Sequence, residues 1–141
     1  MNYSMTEKEL KYHDAYLDMA KRWSLLSHAK RKKVGAIMVK GDQIISDGYN
    51  GTPAGMDNSC EDKKGETHWY VQHAEENAIL KCAKNGNSAK GSTLYQTHSP
   101  CKQCSKLILS AGIERVIYMV QYKDSSGIDF LKENGVEVIQ L

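Results

Sequence analysis

Apolar positions recur at helical spacing near the start of the chain. Tyr12, Tyr16, Ala20 and Trp23, with Leu17 beside them, share one face, and this predicts a first helix over roughly residues 5–28. The period then shortens. Val34–Val39 and Gln43–Tyr49 are short runs of strand character, and Gly41-Asp42 between them is a hairpin signal. Through Gly48, Gly51, Pro53 and Gly55 the pattern dissolves into a long loop reaching about Tyr70. A loop of that length in a small domain is usually functional. A second helix is predicted from His73 to about Asn85, with Gly86 as its stop. Ser92–Thr97 then predicts a strand, Pro100 to about Gly112 a helix, Arg115–Val120 a strand, Ile128–Asn134 a short helix and Val136–Gln140 a last strand. Strands alternating with helices after residue 73 imply parallel pairing through right-handed crossovers. The expected fold is α/β: a three-layer α/β/α sandwich on a five-stranded mixed sheet.

Composition narrows the class. The 141 residues suit one compact domain, 1–141, with no internal repeat, low-complexity tract or linker. Hydrophobic residues at 40% and charged residues at 26% are ordinary globular usage and argue against disorder. No apolar run approaches a membrane span, and Met1–Glu9 lacks the basic-then-apolar shape of a signal peptide, so a cytoplasmic protein is expected. A net charge of +2 is too small to imply nucleic acid as a partner.

The cysteines change the picture. Cys60, Cys82, Cys101 and Cys104 carry no export signal that would favour disulfides. Cys101-x-x-Cys104 alone fits a redox pair, but a dithiol exchanger has no use for the distant His73-Ala74-Glu75. One histidine and two thiolates are ordinary zinc ligands, and a catalytic zinc keeps its fourth position for water. Cys101 and Cys104 are three apart and so share one face of the third helix at its first turn, where the positive helix end favours thiolates. Pro100 sits where its missing N–H costs nothing. His73 opens the second helix, and the N-termini of the two helices converge if they follow neighbouring strand ends. Zinc lowers the pKa of a bound water from near 15.7 toward about 7. Glu75, two residues past the histidine, would move the protons, while Glu76 reads as a solvated helix residue.

The pattern H-x-E…P-C-x-x-C is similar to the signature of zinc-dependent nucleobase deaminases. With His73–Ile79, Gly48-Tyr-Asn-Gly-Thr-Pro53 and Thr97-His-Ser-Pro-Cys-Lys-Gln-Cys104, the chain resembles the deoxycytidylate (dCMP) deaminase family over nearly its whole length, from Val34 to Tyr122. It departs from the family's pattern at His98, Lys102 and Glu76, none of them a ligand. The resemblance implies a cytidine-deaminase-like fold and hydrolysis of dCMP to dUMP and ammonia, with His73, Cys101 and Cys104 on zinc and Glu75 as proton carrier. It places Asn50 near the deoxyribose, the Ala74 N–H near the pyrimidine carbonyl, Ser99 near the base amino group, and Lys33, His68 and Tyr122 near the phosphate. It also implies a homo-hexamer activated by dCTP and inhibited by dTTP with Mg²⁺. The effector site expected for that control involves Gly51, Lys81 and Lys84.

Other readings stand beside this one. Lys30–Lys33 has the composition of a solvated turn as well as of a phosphate contact. Cys60, His28 and His68 suggest a second, structural zinc, but no fourth ligand is evident. Cys82 is most simply a small core residue. A tRNA adenosine deaminase would share the metal site, although the weak net charge and the Gly48–Pro53 loop argue against it. A non-catalytic zinc module that binds nucleic acid would want a fourth protein ligand and would not need Glu75.

Overall fold

The computed structural model describes residues 5–141; Met1–Ser4, part of the segment read above for an export signal, lie outside the described residues. Helix α1, Glu7–Ser24, starts at a capping box in which Thr6 and Glu9 exchange side-chain and backbone hydrogen bonds. It ends four residues before the expected 28. The Ser24 hydroxyl donates to the Lys21 carbonyl, and Leu25, Leu26 and Ser27 close tightened turns instead of extending the helix.

Strands β1 (Gly35–Lys40) and β2 (Gln43–Tyr49) form the expected hairpin, with an irregularity between Met38 and Val39. Helix α2 (Ala74–Lys84) leads to β3 (Thr93–His98), α3 (Lys102–Ser110), β4 (Arg115–Val120), α4 (Ser126–Glu133) and β5 (Glu137–Gln140). The sheet order is β2-β1-β3-β4-β5, with β1 antiparallel to both neighbours and β3, β4 and β5 parallel. This is the expected three-layer sandwich on a five-stranded mixed sheet. His73 and Cys101 are N-cap residues just outside α2 and α3, so those helices begin one and two residues later than the sequence suggested.

Strand alternation divides the core between two layers. Ile37, Val39, Tyr95 and Ile117 pack under Leu17 and Ala20 of α1. Ala36, Met38, Leu94 and Val116 face Ala78 and Cys82 of α2, Ile108 of α3 and Leu131 of α4. Cys82 is thus a core residue, as expected. Each fully buried Leu or Ile contributes about 1.5–3 kcal/mol.

Two glycines bring helices close enough to build the site. A Cβ on Gly48 would lie 2.5 Å from the Ala74 carbonyl oxygen, so only glycine lets β2 meet the first turn of α2. A Cβ on Gly127 would lie 2.6 Å from the Pro100 carbonyl oxygen and 2.7 Å from the Ser105 hydroxyl, where α4 backs the turn that carries Cys101.

Candidate active site

β3 ends at His98, and the chain turns through Ser99 and Pro100 to place Cys101 at the N-cap of α3. His73 caps α2 in the same way. The Glu76 carboxylate is more than a solvated group, because it accepts the His73 backbone N–H at 3.3 Å and fixes that cap. His73 Nδ1 lies 3.6 Å from Cys101 Sγ and 3.3 Å from Cys104 Sγ. Among the described residues this is the sole group of three metal-ligating side chains. Bonds of about 2.3 Å to sulfur and about 2.0–2.1 Å to nitrogen in a tetrahedral site separate S and N by about 3.5 Å, which the cluster matches. Cys60, His28 and His68 form no second group.

The cluster's protons are shared. Hydrogen bonds from Cys104 and then His73 hold the Cys101 thiol down at about 3. The neighbouring Cys101 sulfur pushes Cys104 up, and its hydrogen bond with His73 pulls the imidazole up to about 8. The N-termini of α2 and α3 add positive potential that favours anionic sulfur.

Glu75 is 3% exposed and lines a cavity of about 170 Å³ together with His73, Ala74 and Cys101. Burial pushes its carboxyl up, and a hydrogen bond from Gln96 pulls it part of the way back. Gln96 Nε2 donates to Glu75 Oε2 at 2.8 Å. A buried carboxyl beside a cluster of metal-ligating side chains, in a small cavity, can take a proton from water and return it.

Asn50 and Tyr122 also line the cavity. Asn50 Oδ1 accepts from Val34 N and its Nδ2 donates to the Lys32 carbonyl, both at 2.8 Å, so its amide staples the chain that forms the wall. That wall takes Arg31, Lys32 and Val34; Lys33, the lysine expected there, is not among its lining residues. The Lys32 ammonium sits 3.7 Å from the centre of the Tyr122 ring, and burial lowers its pKa. His68 does not line the cavity either: its ring stacks on Tyr70 at 4.9 Å, and the neighbouring Thr67 lines the wall. Ser99 is buried behind Tyr122 and accepts its backbone N–H at 2.9 Å, so it supports the wall without forming it.

Sequence reasoning missed Lys32, Glu61 and Gln96. Glu61 lines the cavity while its carboxylate accepts Lys30 N–H at 3.1 Å. Two left a readable signal: Lys32 stands in the basic run 30–33, and Gln96 is a polar residue two places after Leu94 on the buried face of β3.

Residues 7–120 match the family described as the cytidine and deoxycytidylate deaminase zinc-binding region. The chain belongs to this family. Deoxycytidylate deaminase of Enterobacteria phage T4 is 34% identical over 152 residues, covering 77% of this chain and 79% of the relative. Deoxycytidylate deaminase of Homo sapiens is 36% identical over 137 residues, covering 86% of this chain and 76% of the relative. The crystal structure of dCMP deaminase from the cyanophage S-TIM5, in complex with dCMP and dUMP, aligns with a TM-score of 0.90 at 45% identity. That alignment covers 98% of this chain and 100% of the other. As an enzyme of this deaminase family, the chain carries its H-x-E and P-C-x-x-C motifs at one cavity.

Gly51, Lys81 and Lys84 line a different, open cleft of about 630 Å³ with Thr52, Asn77 and Asn85. Lys81 is paired there with Asp47 at 2.8 Å. No described helix is long and apolar enough to cross a membrane.

Proposed function

We propose that the protein hydrolyses dCMP to dUMP and ammonia, supplying a precursor of thymidylate. The observation that carries this reading is the meeting of Glu75, the His73–Cys101–Cys104 cluster, Asn50, Lys32 and Tyr122 at one small cavity. The aligned cyanophage dCMP deaminase with dCMP and dUMP supports the choice of substrate. Zinc, held by His73, Cys101 and Cys104, supplies Lewis acidity that makes water a nucleophile near neutral pH.

The chain's own residues do the rest. Glu75 takes a proton from the attacking water, delivers it to ring N3, and passes the second proton to departing ammonia. Burial raises its carboxyl above the usual carboxylate range, the direction that suits a group that must both take and return a proton. The Ala74 N–H is the donor for the pyrimidine carbonyl, and Asn50 holds the sugar side of the cavity. Lys32 and Tyr122 form the cationic end that a 5′-phosphate requires.

Regulation and assembly belong to the same reading. The open cleft carrying Gly51, Lys81 and Lys84 suits a triphosphate with Mg²⁺, and dCTP and dTTP are the proposed effectors of a cytoplasmic homo-hexamer. Purified protein incubated with dCMP should release ammonia and form dUMP, with deoxycytidine, dCTP and tRNA far poorer substrates. Glu75→Gln should keep zinc and lower kcat about 10²–10⁴-fold. Turnover of tRNA adenosine with none of dCMP would overturn the assignment.

A further inference from the structure

Along β3 the side chains alternate between the two core layers. Leu94 belongs to the layer shared with α2 and α3, and Tyr95 to the layer under α1. Gln96 therefore falls on the Leu94 face, between Ala36 of β1 and Tyr118 of β4, where the pattern asks for an apolar residue. It is 1% exposed. Burying a primary amide is unfavourable unless its polar atoms find partners. Its nitrogen finds two, Glu75 Oε2 and the His98 carbonyl, while its Oε1 has none among the described residues. A methionine or leucine would fill the same space without an unbonded oxygen, so packing does not account for a glutamine here.

The orientation of the amide follows from its neighbours. A backbone carbonyl can only accept, and an ionised carboxylate can only accept. Turning the amide over would set oxygen against oxygen on both sides. The His98 carbonyl thus fixes the amide, and the amide fixes one oxygen of Glu75. The end of β3 that delivers Cys101 to the cluster therefore also aims the carboxylate.

We propose that Gln96 is a positioning residue for Glu75, holding carboxylate oxygen Oε2 so that Oε1 is the oxygen presented for proton transfer. This rests on the deaminase reading above. Misplacing a reacting group by about 1 Å can cost about 10²-fold in rate, so a carboxylate free to rotate would be a poorer proton carrier. A glutamine that only tied off the His98 carbonyl would act on stability, indifferent to what stands at position 75.

The test is kinetic and uses the zinc-loaded enzyme with dCMP. Gln96→Met keeps the volume and removes the donor. It should lower kcat about ten- to hundred-fold, leave KM within about threefold, and leave zinc content by elemental analysis unchanged. The deciding measurement is the same substitution in a Glu75→Gln background at enzyme excess. Because Gln96 acts through Glu75, the residual rate there should fall by less than about twofold further. An unchanged kcat in Gln96→Met, or an equal loss in both backgrounds, overturns the proposal. Should Gln96→Met not accumulate as folded protein, the native chain decides by NMR. The Gln96 side-chain amide protons should exchange slowly, and Glu75→Gln should shift one of them; an amide indifferent to that change overturns the proposal. Undiminished turnover by Glu75→Gln alone would instead overturn the deaminase reading, so the two failures are distinguishable.

Discussion

His73 and Cys101 hold the same position on two different helices: each is the N-cap residue, of α2 and α3, and their ligand atoms lie 3.6 Å apart. Two helix N-termini are thereby aimed at one point. The backbone adds positive potential at the sulfur, beside the hydrogen bonds from Cys104 and His73 that hold the Cys101 thiol down.

The Cys101 side chain does not cap α3; its bonds to that helix run only to Cys104, its fellow ligand. Cys101→Ala should therefore leave α3 formed while removing a ligand. Elemental analysis should show zinc lost, turnover should be abolished, and circular dichroism should retain the helix content. Retention of zinc and activity would show that the cluster is not the metal site.

Metal uptake should depend on pH through His73. With its imidazole raised to about 8, His73 carries a proton below that pH, and zinc requires the neutral ring. The sign follows directly. Apparent affinity should rise with pH up to about 8, where the competing proton leaves, and the imidazole's share of the dependence should vanish above it. Cys104, pushed up by its neighbouring sulfur, keeps its proton at neutral pH until zinc binding displaces it to solvent. Competition with a chelating dye on either side of that pH, with proton release followed by calorimetry, checks both statements.

Lys32, rather than Lys33, should carry the preference for a 5′-monophosphate. Lys32→Met removes a charged donor worth about 1.5–3 kcal/mol, so kcat/KM for dCMP should fall about ten- to hundred-fold. Deoxycytidine, which has no phosphate, should be affected little. Lys33→Met, altering a residue outside the cavity wall, should leave both substrates unchanged. The comparison is a four-way measurement of kcat/KM, and a larger loss for Lys33→Met would move the phosphate elsewhere.

For regulation, Lys84 is the informative position. Asp47 occupies Lys81, whereas Lys84 makes no ion pair among the described residues. An effector acts only by binding two states unequally. The dCMP saturation curve should be sigmoidal alone, approach a hyperbola with dCTP, and weaken with dTTP. Lys84→Glu should blunt both responses with zinc content unchanged. Hyperbolic kinetics indifferent to both nucleotides, in a protein that sediments as a monomer, would remove the effector proposal.

Some of this protein was decided by the chain alone. The shift from helical to alternating spacing marks each element in order, because periodicity is a local property of which side chains reach a common face. The Gly41-Asp42 hairpin, the parallel strands after residue 73 and the five-stranded sandwich follow from it. The metal cluster was legible for the same reason: the His73–Glu75 and Cys101–Cys104 spacings are fixed within single turns of chain. Tertiary structure decided what depends on two distant segments meeting. Which of two adjacent lysines faces the cavity is set by the Asn50 amide, which grips the backbone at 32 and 34 from across β1 and β2. His68 lies outside the cavity with its ring stacked on Tyr70, and Ser99 lies behind Tyr122, where strand β4 ends beside it. Gln96 reaches Glu75 only once β3 lies beneath α2, 21 residues away in sequence. Side-chain direction at such positions is settled by long-range hydrogen bonds and packing, which no local pattern encodes.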